Sequence, residues 1–275
     1  MNSFILKNGS FVAADEKLFS IGDAETLLFS EKIRAIRNTF PFFLETVELL
    51  LLKFRIFNEP VPELLAYNGR DLKRQLERLL VKNKMYKSAI ISIHFFRNKQ
   101  GFDYILSADP LETFEFEINH KGLLVDIFDK MPKVVSGLSN LSFGSETIWK
   151  IAVSYLSGSG SDDFLIINSE EKIIEGIGKK LFLIKDGNIT GVSASAGAYM
   201  DVVGLVIPAI AKKIGLVYSE TDGFTADQLH HADELFLLDA VHGVHWIMGF
   251  REKRYYSMKT RQINEELNTF AAKRF

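Results

Sequence analysis

The spacing of apolar residues changes along the chain, and each change marks an element. Phe4-Ile5-Leu6-Lys7 and Ser10-Phe11-Val12-Ala13 flank Asn8-Gly9, a pair that tolerates left-handed backbone, so the opening predicts a β-hairpin. Residues 41–57 carry apolar positions at helical spacing, with Pro41 suited to a first turn and Glu45 and Glu48 near the start. Pro60 and Pro62 stop that helix. Asp71 is placed to cap a second one, which shows Leu72, Leu76, Leu79 and Leu80 on one face. Residues 89–96 and 102–108 read as a strand pair, and 123–128 as a further strand beyond a boundary in the 114–122 stretch. There follow a helix over 146–156, a Gly/Ser connector at 157–161 and a strand over 164–168. A hairpin turns at Asp186-Gly187, and the next helix ends at Lys212-Lys213-Ile214-Gly215. A strand at 234–238 and a helix from about Thr260 complete the chain. This mixture predicts an α+β protein with a smaller domain over 1–116 and a larger mixed α/β domain over 117–275.

Composition narrows the function more by exclusion than by suggestion. A chain of 275 residues with 47% hydrophobic residues is long enough for two cores. Net charge is −2 and the basic residues are dispersed, which argues against a nucleic-acid surface. The absence of cysteine removes disulfides, thiolate metal sites and thiol nucleophiles. The longest apolar run, over 202–211, is broken by Gly204 and Pro208, so no membrane span is expected, and the expected location is the cytoplasm. The connector at 157–161 has no P-loop lysine and reads as a plain linker. Leu237 to Trp246 reads as one strand, which would set His242 and His245 on opposite faces, so no metal site is expected. His230 and His231 read as surface residues.

Several segments, in order, resemble the class IV aminotransferases, the fold-type-IV pyridoxal-phosphate (PLP) enzymes that include branched-chain and D-amino-acid aminotransferases and aminodeoxychorismate lyase. They are Leu6 to Val12, Ser139-Asn140-Leu141, Asp162 to Asn168, Ile173-Ile174-Glu175-Gly176, Leu181 to Gly187 and Ala232 to Leu237. The resemblance implies a two-domain fold of the D-amino-acid aminotransferase type and a homodimer. It also implies four site features. The Schiff-base lysine falls at Ser142, which cannot form an imine. The phosphate's arginine, in a His-x-x-Arg pattern, falls at Leu50, with Val47 in the histidine's place; Lys53, one turn on, reads as a snorkelling surface lysine. The phosphate cup falls within residues 196–203, which hold Asp201 and no arginine, and its contact in the last strand falls at Ala240-Val241. The glutamate that pairs with the pyridine nitrogen is kept as Glu175, while the asparagine after it is Lys180. The Gly-Asp-Gly-x-Phe-Glu-Thr signature is replaced by Phe29 to Ala35.

These substitutions imply a degenerate pocket with no catalytic residue, lined by Glu175, Lys180, Ser142, Leu50, Ala240 and Val241. The reading that follows is a pseudoenzyme dimer that binds a partner or a small anionic ligand and holds no cofactor. The alternative is an active PLP-dependent aminotransferase or lyase in which a displaced lysine, Lys180, forms the Schiff base. Lys150, eight residues past Ser142, lies more than two helical turns from that position. A further expectation is that Lys180 pairs with Glu175 across the turn between them; the alternative is that Lys180 points to solvent and Glu175 bonds to backbone N–H groups.

Overall fold

The computed structural model describes residues 4–14, 26–99 and 101–274. It divides into two compact units, Met1–Glu115 with Ala271–Phe275, and Phe116–Phe270.

The first unit is built on an antiparallel sheet in the order β2-β1-β5-β4-β3, from β1 (Phe4–Lys7), β2 (Ser10–Ala13), β3 (Leu27–Ile36), β4 (Ser88–Asn98) and β5 (Gly101–Leu111). The opening hairpin forms as expected, with Lys7 opposite Ser10 and Asn8 and Gly9 both at positive φ. Helix α1 (Phe43–Ile56) buries Phe43, Val47, Leu50 and Phe54, and α2 (Ala66–Lys82) buries Leu72, Leu76, Leu79 and Leu80. Tyr67, Asn68 and Gly69 are left-handed, so regular helical backbone begins only after them, beside the expected start at Asp71.

Lys53 departs from its expected place. It is fully buried, and its ammonium pairs with Glu31 Oε2 at 2.7 Å. The reason is local: Glu31 projects from β3, the strand where the resemblance sets the signature segment, and supplies a counter-charge at depth.

The second unit holds a mixed sheet of nine strands in the order β11-β10-β9-β12-β13-β6-β7-β8, with β14 (Lys253–Arg254) on β13. Its strands are β6 (Leu123–Lys133), β7 (Asp163–Asn168), β8 (Ile173–Gly176), β9 (Lys179–Lys185), β10 (Asn188–Val192), β11 (Val217–Thr221), β12 (Glu234–Asp239) and β13 (Gly243–Phe250). Strand β8 also pairs with β9, so β9-β12-β13-β6-β7-β8 close on themselves. Alternate residues of these strands, such as Leu165, Leu181, Leu235 and Ile247, fill one apolar core with Ile174 and Phe250. Helix α3 (Ser142–Leu156) lays Ile148 and Ala152 on Phe128, Phe164 and Ile166. The remaining helices are α4 (Ile207–Lys213), α5 (Ala226–His230) and α6 (Met258–Ala272). Among the described residues, no helix is long and apolar enough to cross a membrane.

Candidate functional site

Glu175 stands in β8, a strand with every residue buried, and has no exposed side-chain surface. A bare carboxylate at that depth would be costly. Three donors meet it: Lys133 Nζ at 2.7 Å from Oε2, the Tyr199 backbone N–H at 2.5 Å from Oε2, and Trp149 Nε1 at 2.8 Å from Oε1. Trp149 projects from α3, and its ring meets Tyr199 edge-on at 5.0 Å. Burial pushes the Glu175 carboxyl up and the Lys133 ammonium down, each against the attraction of the other. What holds the charged pair is its geometry, with both partners hydrogen-bonded and out of water.

The sequence does not single out Lys133, because strand alternation does not place it. Phe128 faces Ile166 and Lys133 faces Asn168, five steps along β6 against two along β7, and this bulge turns the lysine inward. A lysine just after Met131-Pro132, at the end of the strand, is the one signal that could have found it, and the neighbouring Asp129 and Lys130 make it look like one more exposed charge.

The expected Lys180–Glu175 pair does not form. The two residues are directly opposite across the β8–β9 turn and share a face. The Lys180 side chain nevertheless runs over Gly204, where an added Cβ would stand 2.7 Å from its Cδ. Its ammonium lies in the field of Glu220, Asp201 and Glu175, and among the described residues it makes no ion pair. Burial lowers its pKa, and those three carboxylates oppose the shift. Lys133 holds the place by Glu175 that was expected of Lys180.

Asp201 is also drawn into the backbone. Its Oδ1 accepts the Val203 N–H at 2.8 Å, and its Oδ2 accepts the Ala240 N–H at 2.9 Å. The carboxylate thus bridges the turn entering α4 and the turn after β12. Ala240 and Val241 lie in that second turn, partly buried. Ser142 opens α3, and the Asn140 carbonyl before it accepts the Met200 N–H at 2.9 Å, tying this loop to residues 194–201. Glu175, Lys180, Ser142, Ala240 and Val241 are all in the second unit, whereas Leu50 is buried in the first. Lys150 is exposed and pairs with Glu146 one turn back.

Leu237 to Trp246 is not one strand. Residues 240–242 turn between β12 and β13, with Asp239 opposite Gly243 and Leu237 opposite His245. Asp239 and His245 therefore share a face, and His242 stands on the turn between them, against the expectation of opposite faces.

A closed mixed sheet preceded by a five-stranded antiparallel unit defines the class: this is the α+β, two-domain fold of the class IV aminotransferases, fold type IV. A branched-chain aminotransferase from Thermoproteus uzoniensis, solved with norvaline, superposes with a TM-score of 0.85 at 17% identity, covering 99% of this chain and 96% of that one. The branched-chain aminotransferase of Escherichia coli gives 0.82 at 17%, over 96% and 92% of the two chains. In sequence, the chain is 24% identical over 131 residues to a probable branched-chain-amino-acid aminotransferase of Aquifex aeolicus, 44% of this chain and 42% of that protein. The match thus spans less than half of the curated relative. No family model matches the chain.

The neighbours correct one expectation. The Thermobaculum terrenum branched-chain aminotransferase was solved in its PLP form, and a further enzyme of this fold with N-(5'-phosphopyridoxyl)-L-glutamate. The fold is one that holds PLP, and the expectation of no cofactor is overturned. In the arrangement seen here, the groups that the resemblance assigns to its anchoring, Glu175 and the Ala240 N–H, already have partners in Lys133 and Asp201. The residues fit the group only if both let go.

Proposed function

We propose that this class IV aminotransferase-like protein does not carry out the amino-group transfer of its structural neighbours, and that its pocket serves binding, in a homodimer. The observation that supports this is the Glu175 carboxylate, engaged by Lys133, Trp149 and Tyr199. Ser142, at the position inferred for the Schiff-base lysine, adds to it, since a hydroxyl forms no imine. The half-buried Lys180 ammonium offers a positive charge to a small anionic ligand.

A second reading rests on the same lysine. An amine with its pKa lowered by burial, and without an ion pair among the described residues, is a competent nucleophile, so Lys180 could serve an active PLP-dependent aminotransferase or lyase. One assay separates the two. Purified protein is given saturating PLP, a branched-chain amino acid and 2-oxoglutarate, and glutamate formation is followed. No turnover above that of free PLP is expected. Turnover that disappears in Lys180→Ala would overturn the proposal and establish the second reading.

A further inference from the structure

Apart from the Glu175–Lys133 pair, one constellation among the described residues combines metal-ligating residue types at ligand spacing. Asp239 ends β12, His245 lies on β13 across from Leu237, and His242 sits on the turn joining the strands. The turn is held in one conformation, because Asp239 Oδ1 accepts the N–H groups of Val241 at 2.8 Å and His242 at 2.7 Å. Gly243 follows with φ +84°, and an added Cβ there would meet Phe116 at 2.8 Å, so the tight return of the chain needs glycine. This backbone brings His245 Nε2 to 2.7 Å from Asp239 Oδ2, and His242 Nδ1 to 3.3 Å from Asp239 Oδ1. One ligand atom from each of the three residues lies within 4.8 Å of the others.

We propose that Asp239, His242 and His245 bind one divalent transition-metal ion of the Zn2+ type. Two imidazoles and a carboxylate are a donor set that suits zinc and its neighbours and disfavours Mg2+ or Ca2+. Bonds of about 2.0–2.1 Å in tetrahedral array set donor atoms roughly 3.3 Å apart. The two histidines meet different carboxylate oxygens, and Oδ1 already holds the turn's N–H groups, so the ion takes Oδ2: the His245 contact opens by a fraction of an ångström as it enters, and the His242 ring swings toward that oxygen. The larger adjustment is the approach of the two rings. His242 can supply this movement: its side chain is 55% exposed, against 12% for Asp239 and 18% for His245. The base of the site is thus rigid and its rim adjustable. Three ligands leave the fourth position on the exposed side for water or another donor.

The test uses the full chain, stripped with chelator, and needs no activity. Co2+ is titrated in and its visible spectrum recorded, then Zn2+ is added in competition. One equivalent of Co2+ is expected, with the intense bands of four-coordinate cobalt, displaced by Zn2+. His242→Ala, at an exposed turn position that does not threaten folding, is expected to lose stoichiometric binding, and His245→Gln likewise. His231→Gln, on the exposed His231–Asp227 pair, should bind as the parent does. Absence of stoichiometric binding in the parent, or binding unchanged in His242→Ala, would show a hydrogen-bonded trio only and overturn the proposal.

Discussion

Glu175 and Lys133 are shut away from water, with side-chain exposures of 0% and 3%, so removing either charge strands the other. Such a pair is expensive to halve and much cheaper to delete whole. Glu175→Gln and Lys133→Met are each expected to lower unfolding free energy by about 3–5 kcal/mol. The double variant Lys133→Met/Glu175→Gln should lose clearly less than the sum, as in-contact residues do. Urea denaturation of the four proteins reads the coupling directly. Additive losses would mean that the two charges do not stabilise each other. Glu175 was legible in sequence because its Glu-Gly context is local. Its partner was not, because the pairing arises from a bulge between strands far apart in the chain.

At the scale of elements, the start of α3 is fixed by a close approach. A Cβ on Gly144 would collide with the Leu138 carbonyl oxygen, so the helix can fold back over residues 138–141 only with glycine there. Gly144→Ala must push the helix off that loop, and overpacking of this kind costs roughly 1–3 kcal/mol. The expected outcome is a lowered denaturation midpoint with an unchanged m-value; an unshifted midpoint would mean that the loop gives way freely. Most elements could be read from periodicity, since helices and strands are chosen by local spacing. The exceptions have physical causes. Strand β3 carries Ser30, Glu31 and Lys32 together, and their polarity hid it until Lys53 supplied Glu31 with a partner. The turn at 240–242 holds no proline or asparagine and its glycine falls just beyond it, so an apolar run concealed a reversal of direction and, with it, the grouping of His242 with Asp239.

For the whole molecule, α1 bears on assembly. Its buried face carries Val47, Leu50 and Phe54, yet Leu44, Leu52 and Ile56 are 55%, 37% and 39% exposed along another stripe. Apolar surface on more than one side of a helix calls for a second covering. Sedimentation at micromolar concentration is expected to give a dimer of the 31.2 kDa chain, and Leu44→Glu/Leu52→Glu a monomer with unchanged far-UV circular dichroism. A monomeric parent would count against the dimer. The order of elements, and with it the fold class, was legible because apolar periodicity is local to each segment; the pairing of strands distant in sequence was not.

The return of β8 onto β9 has a consequence for how the second unit meets other chains. A sheet in linear order leaves two outer strands with unsatisfied N–H and C=O groups, each a template on which a foreign strand can grow. Here Ile173-Ile174-Glu175-Gly176, the most apolar candidate for such a margin, is closed by β9 at Glu175 and Gly176 and by the Phe224 backbone at Ile173. The margin that remains at the far end of the sheet is β11, five residues long and interrupted by Ser219 and Glu220. A short strand with a charge in it recruits poorly. Whatever chemistry its pocket has kept or lost, the unit guards its stickiest strand from self-propagating association.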